Sequence, residues 1–509
     1  MGVWNFYFFL KFYLYFRGFI RLDFILNLLF LVFLMIPVPK QIRFYRAIRV
    51  SKNIFSIVAA ILLLWHDSWL PPFSKILSFV SEGGLPSKEY IFRFLAGYVN
   101  PNEILALVLL LGFCYWVYRK QIRLTPVVVV LLLIVPLQDF NRSKEDMNKI
   151  LDSFLYSESK RVIRFSKPQN DRADIDIVIL HVCSLSWDDL REAGLEKDPF
   201  FNQFDYLFTR FNSVTSYSGP SAIRLLRGTC GQVRHESLYQ NAGEDCYLFD
   251  RFKYLGYTTY TVLNHDGLYG HFDQEIQKLG HLDSPILSDG LPVQAYNFDG
   301  SKIYDDYTVL ERWWQMRLSS KSIKSAVYYN TISLHDGAHL VGVKEWWKQD
   351  RKAQYRLSVL KLFSDFTKFI QLTEFSGKKG IILFVPEHGM ALKGNRIQAA
   401  GLRDIPLPQI TTVPVAIKLI GFGNLRAEGK PKVISEPTSY LSLPSLLASV
   451  LTRDPLEVDG PWLEALLADI PKTDFVSENE GIRILKIQEE YYLYGKEKKW
   501  IKLSPDLVN

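Results

Sequence analysis

Long apolar runs crowd the first quarter of the chain and thin out abruptly near residue 138, after which short apolar runs alternate with polar, charged and glycine-containing stretches. A hydrocarbon core about 30 Å thick needs about 20 mostly apolar helical residues. Four segments come close: Phe24 to Val38, Asn53 to Leu70, Glu103 to Tyr118 and Thr125 to Leu137. The last two are short, and Arg119, Lys120 and Arg123 between them are placed to snorkel toward the headgroups. The aromatic stretch from Trp4 to Ile20 carries Lys11 and Arg17, and reads either as a fifth span or as an interfacial helix. No small-residue cleavage site follows this run, so the expectation is a retained N-terminus.

Beyond residue 138 the pattern changes twice. Residues 139–174 are polar, with an amphipathic stretch from Met147 to Tyr156, and read as a tether. From Ile175 onward, runs suited to strands (175–183, 257–263, 325–331, 380–385, 413–420) alternate with helical patterns at 187–194, 222–227 and 354–375. That alternation predicts an α/β domain over 175–509 with a mostly parallel sheet covered by helices on both faces. In such sheets the working loops lie beyond the carboxyl ends of the strands. The whole chain is thus expected to be an N-terminal transmembrane helix bundle (1–138, four or five helices), a tether and an α/β catalytic domain.

Composition adds little to this division, since 22% charged residues with 30 Gly and 24 Pro among 509 excludes neither part and argues only against global disorder or repeats. The net charge of +7 could suggest nucleic acid. The basic residues, however, gather beside apolar spans, as Lys40, Arg43, Arg46, Arg49 and Lys52, and again at 119–123, which marks cytoplasmic membrane flanks instead. With both basic loops in the cytoplasm, the span ending at Leu137 exits on the far side and everything after 138 faces outward.

Three motifs fall at expected strand ends: Cys183, the segment Thr215-Ser216-Tyr217-Ser218-Gly219-Pro220-Ser221, and Pro386-Glu387-His388-Gly389. Ser218 precedes a helical pattern, so free N–H groups and the positive dipole end face its oxygen, which suits a nucleophile or a phosphate; a plain helix cap is the alternative. Glu387 and His388 taken alone are equally a surface carboxylate and a satisfied histidine. Together with Cys183 and Ser218 they offer S, O, O and N donors for one tetrahedral zinc, and a cation there favours the deprotonated serine. Of four cysteines, Cys114 lies in an apolar run and Cys230 with Cys246 can pair in an oxidising compartment, leaving Cys183 as the odd thiol. His335 is a candidate phosphate holder or proton donor, and Arg403 a planar donor to phosphate oxygens, with a salt bridge as its alternative. His265, His271 and His339 read as hydrogen-bonders in loops.

These residues resemble the BcsG family, the cellulose phosphoethanolamine transferases of the alkaline phosphatase and sulfatase superfamily. The resemblance runs through Trp4-Asn5-Phe6-Tyr7-Phe8, Trp65-His66-Asp67-Ser68-Trp69-Leu70-Pro71, Cys183-Ser184-Leu185-Ser186-Trp187, Ser213 to Pro220 with Ala222 to Arg227, Leu334-His335-Asp336-Gly337, and Val385 to Gly389 with Gly401 to Pro406. It implies an alkaline phosphatase-like catalytic domain, Ser218 as nucleophile, and one zinc on Cys183, Ser218, Glu387 and His388. It further implies Tyr217, His335 and Arg403 around the substrate phosphate and a Cys230–Cys246 disulfide. The implied donor is phosphatidylethanolamine, the acceptor cellulose, the partner a cellulose synthase complex, and the location the bacterial inner membrane with the catalytic domain in the periplasm. Alternatives are transfer to another envelope glycan or lipid A, a hydrolase, and a non-enzymatic assembly subunit. A single expected disulfide and a serine nucleophile argue against the lipid A enzymes, and the absent Arg after Ser218-Gly219-Pro220-Ser221 argues against a sulfatase.

Overall fold

The computed structural model describes residues 4–41, 43–70, 86–96, 101–120, 124–138, 144–167, 174–286, 288–422, 429–451, 466–495 and 498–508. The chain divides into two compact units. The first comprises Met1–Ser78, Phe94–Ser143 and Asn395–Ala399; the second comprises Phe79–Arg93, Lys144–Gly394 and Ala400–Asn509.

In the first unit, helices Trp4–Phe16, Phe24–Met35, Tyr45–Asp67 and Thr125–Gln138 meet around Phe8, Phe12, Phe30, Leu31, Ala60, Leu63, Val128 and Leu132. Lys11 does not break the first of them, because its ammonium is buried against Asp67 and donates to Asn27 Oδ1 at 2.7 Å. Burying an ammonium is costly unless it is paired in this way. Tyr45–Asp67 turns Ile54, Phe55, Ile57, Val58, Ile61 and Leu62 outward. Among the described residues it is the one helix long and apolar enough to cross a membrane; Phe24–Met35 and Glu103–Val117 are apolar but shorter. The expected bundle of four or five spans is therefore met by one span of full length. The side chain of Cys114 lies outside the described residues.

The second unit is built on a seven-stranded sheet of β1 (Ile175–Val182), β2 (Tyr206–Asn212), β3 (Thr258–Leu263), β4 (Ser325–Thr331), β5 (Lys379–Pro386), β6 (Thr412–Ile420) and β7 (Lys432–Ile434), in the order β7-β2-β6-β5-β1-β4-β3. β1 is flanked by parallel partners on both sides, β4 and β5. Its alternate residues enter two different cores: Ile175, Ile177 and Ile179 join helix Ser218–Leu226, while Val178, Leu180 and Val182 meet helices Asp306–Ser319 and Arg351–Phe375. Burial on both faces explains why β1 reads as a continuous apolar run.

The sheet is mostly parallel, as expected, with one strand reversed. β6 runs antiparallel to both β2 and β5, because β5 reaches it through a loop and a single short turn, Pro408–Thr411, with no crossover helix to return the chain to the starting edge. Two small sheets also escaped the periodicity. One is Val476–Asn479, Ile482–Ile487, Glu490–Tyr494 and Trp500–Lys502; the other is Val293–Tyr296, Lys302–Tyr304 and His339–Leu340. The segment read as a tether carries helix Lys144–Glu158, whose Leu151 and Phe154 pack on Val476 and Leu485. Cys230 and Cys246 form a disulfide closing a separation of 16 residues.

Candidate active site and metal centre

Strand register brings the three motifs together. Val182 at the end of β1 pairs with Pro386 at the end of β5, so Cys183 and Glu387 leave the sheet at the same level. The exit is locked by Glu387 N–H donating to the Val182 carbonyl at 2.8 Å, Leu185 N–H to the His388 carbonyl at 2.7 Å and Cys183 N–H to the Thr331 carbonyl at 3.0 Å. Ser218 arrives as the first residue of helix Ser218–Leu226, with Tyr217 as its cap in extended backbone.

Ser218 Oγ lies 3.5 Å from Cys183 Sγ and 3.3 Å from His388 Nε2. Cys183 Sγ is 4.0 Å from His388 Nε2, which is 3.7 Å from Glu387 Oε2. Tetrahedral zinc with bonds of about 2.0–2.3 Å sets its ligand atoms about 3.3–3.8 Å apart, close to these separations. Cys183, Glu387 and His388 are fully buried and form a group able to hold a metal ion, while Ser218 is half-buried at the mouth.

The electrostatics fit the same group. Burial, reinforced by the Glu387 charge, pushes the Cys183 thiol up to about 12. Burial also raises Glu387, and burial together with Arg403 lowers His388 well below the usual imidazole range. Glu387 Oε2 is buried with no hydrogen-bond partner, a state costing about 1–3 kcal/mol if nothing else satisfies it. A divalent cation would favour thiolate and carboxylate and supply the missing partner. His388 Nδ1 is 2.9 Å from the Gly389 carbonyl, which only accepts, so Nε2 is left with its lone pair toward the site.

Supporting residues were not legible as such in the sequence. Asn330, near the end of β4, donates to Glu387 Oε1 at 2.5 Å, and its own oxygen is 2.9 Å from His265 Nε2. His265 is thus a hydrogen-bonder, as expected, but one tied to the metal group. Asn479 lies on the small C-terminal sheet. It donates to Ser216 Oγ at 2.7 Å and the Asp404 carbonyl at 2.8 Å, and accepts from Thr215 Oγ1 at 2.8 Å. It therefore staples the Ser218 loop to the Arg403 loop. Asn479→Ala should leave buried donors unpaired and, through a misplaced Ser218 loop, lower whatever chemistry Ser218 performs about 10-fold or more. Wild-type rates in that variant would remove the stapling role.

Arg403 Nη1 donates to Ser184 Oγ at 3.0 Å, and its Nε is buried without a partner. Among the described residues Arg403 is held by Ser184 and not by the salt bridge that stood as its alternative. Tyr217 Oη donates to Asp404 Oδ1 at 2.9 Å. His335 Nδ1 lies 3.1 Å from both Asn297 Oδ1 and the Asp336 carbonyl, so it carries the proton and Nε2 is the acceptor. Burial and the Arg403 charge lower its pKa to about 4, and burial lowers His181 to about 3. His335 is neutral at pH 7 and suits a base or acceptor better than a cationic acid.

The same shifts predict a pH dependence. An unfolded histidine takes a proton near pH 6.5, whereas these two resist it in the fold, so stability falls as pH drops from about 6.5, through about 4 for His335 and on to about 3 for His181. The melting midpoint of the full chain should fall over that window, less steeply in His335→Asn. Equal slopes would mean that His335 takes up its proton in the fold as it does in the unfolded chain.

Two family descriptions match the chain: Cellulose biosynthesis protein BcsG N-terminal domain over residues 4–137 and Cellulose biosynthesis protein BcsG C-terminal domain over residues 136–500. Cellulose biosynthesis protein BcsG of Escherichia coli (strain K12) is 35% identical over 98% of this chain and 95% of its own length. Its counterpart in Salmonella typhimurium (strain LT2) is 34% identical over the same shares, 98% and 95%. A solved structure of an alkaline phosphatase superfamily protein from Vibrio parahaemolyticus aligns with a TM-score of 0.49 at 12% identity, covering 70% of this chain and 91% of that one. The matches span both units nearly end to end, and the chain belongs to the BcsG family of cellulose biosynthesis proteins.

Proposed function

We propose that this protein transfers phosphoethanolamine from phosphatidylethanolamine to glucose 6-hydroxyls of nascent cellulose, through a covalent intermediate on Ser218. The observation that carries the reading is a half-buried serine oxygen at a helix N-terminus, 3.3–3.5 Å from two members of a buried Cys/Glu/His group. The cellulose acceptor is suggested by the names of the relatives.

Cys183, Ser218, Glu387 and His388 would hold one zinc, which when bound supplies positive charge that lowers the serine pKa and offsets charge on phosphoryl oxygens. Ser218 Oγ attacks phosphorus, forming the O–P bond as the bond to the diacylglycerol oxygen breaks, and diacylglycerol leaves with a proton. A glucose hydroxyl then attacks the same phosphorus, its proton passing to a base, and Ser218 is released. Arg403, whose buried Nε has no partner, and the first N–H groups of helix Ser218–Leu226 are the donors this reading assigns to the phosphoryl oxygens. His335 Nε2 accepts the proton of the incoming hydroxyl. Tyr217 borders the phosphate and orients it through the Asp404-anchored ring.

Residues 1–138 anchor the protein in the bacterial inner membrane as a multi-pass domain. This places the lipid donor and the cellulose synthase complex within reach of a periplasmic catalytic domain over 175–509, joined through 139–174. The test is intact mass of the full chain in detergent, loaded with zinc and incubated with phosphatidylethanolamine, beside Ser218→Ala. A phosphoethanolamine-sized gain on the parent alone is expected; no gain on either, with zinc bound, would overturn the covalent step.

A further inference from the structure

Asp336, next to His335, is held from two sides: Arg351 Nη2 sits 2.9 Å from one carboxylate oxygen and Tyr90 Oη donates to the other at 3.1 Å. Tyr90 belongs to helix Lys88–Ala96, which in sequence falls between helices Tyr45–Asp67 and Pro101–Arg119, far from any catalytic motif. Residues Phe79–Arg93 nevertheless belong to the compact unit of the large sheet.

Several independent contacts seat this segment. Ser87 N–H donates to the Phe298 carbonyl at 3.3 Å, and Arg93 Nη1 donates to Gln354 Oε1 at 2.5 Å. The Tyr90 ring packs on Phe298 with centroids 5.6 Å apart, and Phe298 packs on His335 at 5.4 Å. Gly337 has φ +82°, and a Cβ there would stand 2.7 Å from both the Tyr90 ring and Phe298 Cβ. The glycine of the His-Asp-Gly motif thus leaves room for Tyr90 to approach. His335 Nδ1 in turn donates to the Asp336 carbonyl, so hydrogen bonds and ring contacts both run from Tyr90 to His335.

We infer that Tyr90 is a positioning residue for His335, so that a chain lacking the segment around residues 86–93 keeps Ser218 and the metal group but holds His335 loosely. The inference rests on the reading of His335 as the acceptor of the incoming hydroxyl's proton. Its hydroxyl fixes Asp336 and its ring backs Phe298, leaving Nε2 of His335 aimed at one place. Misplacement of a reacting group by about 1 Å costs on the order of 100-fold, so partial loosening should cost less.

The experiment uses the full chain in mixed micelles of phosphatidylethanolamine, with a soluble cello-oligosaccharide as acceptor, comparing wild type with Tyr90→Phe and Tyr90→Ala. Expected is normal Ser218 labelling in all three, with acceptor-dependent kcat about 5-fold lower in Tyr90→Phe, about 20-fold lower in Tyr90→Ala, and donor KM unchanged. Tyr90→Phe retains the ring, so its melting midpoint should match wild type and separate positioning from folding. Wild-type kcat in both variants would overturn the inference, as would equal losses in labelling and turnover accompanied by lower melting. Absence of labelling on wild type would instead sink the catalytic reading itself, and the inference with it.

Discussion

Replacing Ser218 by Ala is expected to lower the proposed phosphoethanolamine transfer by on the order of 10⁴-fold or more while leaving the fold intact. The size follows from the role: without its oxygen there is no covalent route, and removal of a nucleophile in enzymes that act through one costs about 10⁴–10⁶ in kcat. The mildness for folding follows from position. Ser218 is half-buried at the first turn of its helix, where Tyr217 rather than Ser218 is the capping residue. The local strand-end hydrogen bonds from Glu387, Leu185 and Cys183 are made by backbone groups and survive the change. The measurements are the intact-mass gain, the rate of transfer and the melting midpoint. Transfer within 10-fold of wild type would place the nucleophile elsewhere.

The second large effect is loss of the metal. Stripping with a chelator, or substituting Glu387→Gln or Cys183→Ala, is expected to abolish stoichiometric zinc and transfer together, with activity returning to the stripped wild type, but not the variants, when zinc is restored. Glu387 is the sharper probe. Its Oε1 is already engaged by Asn330 and only 3.5 Å from His181, so the unpartnered Oε2 is the atom left for a cation. Cys183, at about 12 in the absence of a cation, would be a thiol at neutral pH and a poor ligand until a cation draws off its proton. Stability should move in the same direction, since anything that binds the folded state alone raises the melting midpoint. Metal analysis of the full chain checks it. One equivalent in wild type and none in Glu387→Gln is the expected pair; one equivalent in both would place the ion elsewhere.

Much of the site was legible before any tertiary information. Apolar runs ending in Cys183 and in Pro386-Glu387-His388 announce buried parallel strands, and polar residues at such ends converge because neighbouring strands finish level. The change of solvent preference near residue 138 was equally plain, since it extends over tens of residues. Ser218 stood out by its place before a helical pattern, although position alone left a plain helix cap open and only the family resemblance pointed to a nucleophile. In each case the signal is local, carried by a handful of consecutive residues.

What escaped depends on contacts between residues distant in sequence. Asn330 and Asn479 are ordinary buried amides until packing sets one beside Glu387 and the other between the Ser218 and Arg403 loops, 263 residues from Ser216. β6 has the composition of its neighbours, and its reversed direction shows only in its pairing with β5 and β2. Lys11 argued against a buried helix until Asp67, 56 residues on, was found to pair with it. Tyr90 sits in a polar stretch between apolar helices and gains a role only through Asp336, 246 residues away. Periodicity and strand-end chemistry are written in consecutive residues, so the sequence by itself determined the apolar character of the first quarter of the chain and the buried strands, and it nominated the groups proposed to react. Which groups hold those residues in place was decided by long-range packing, because a hydrogen-bond partner is chosen by proximity in the folded state and leaves no periodic trace along the chain.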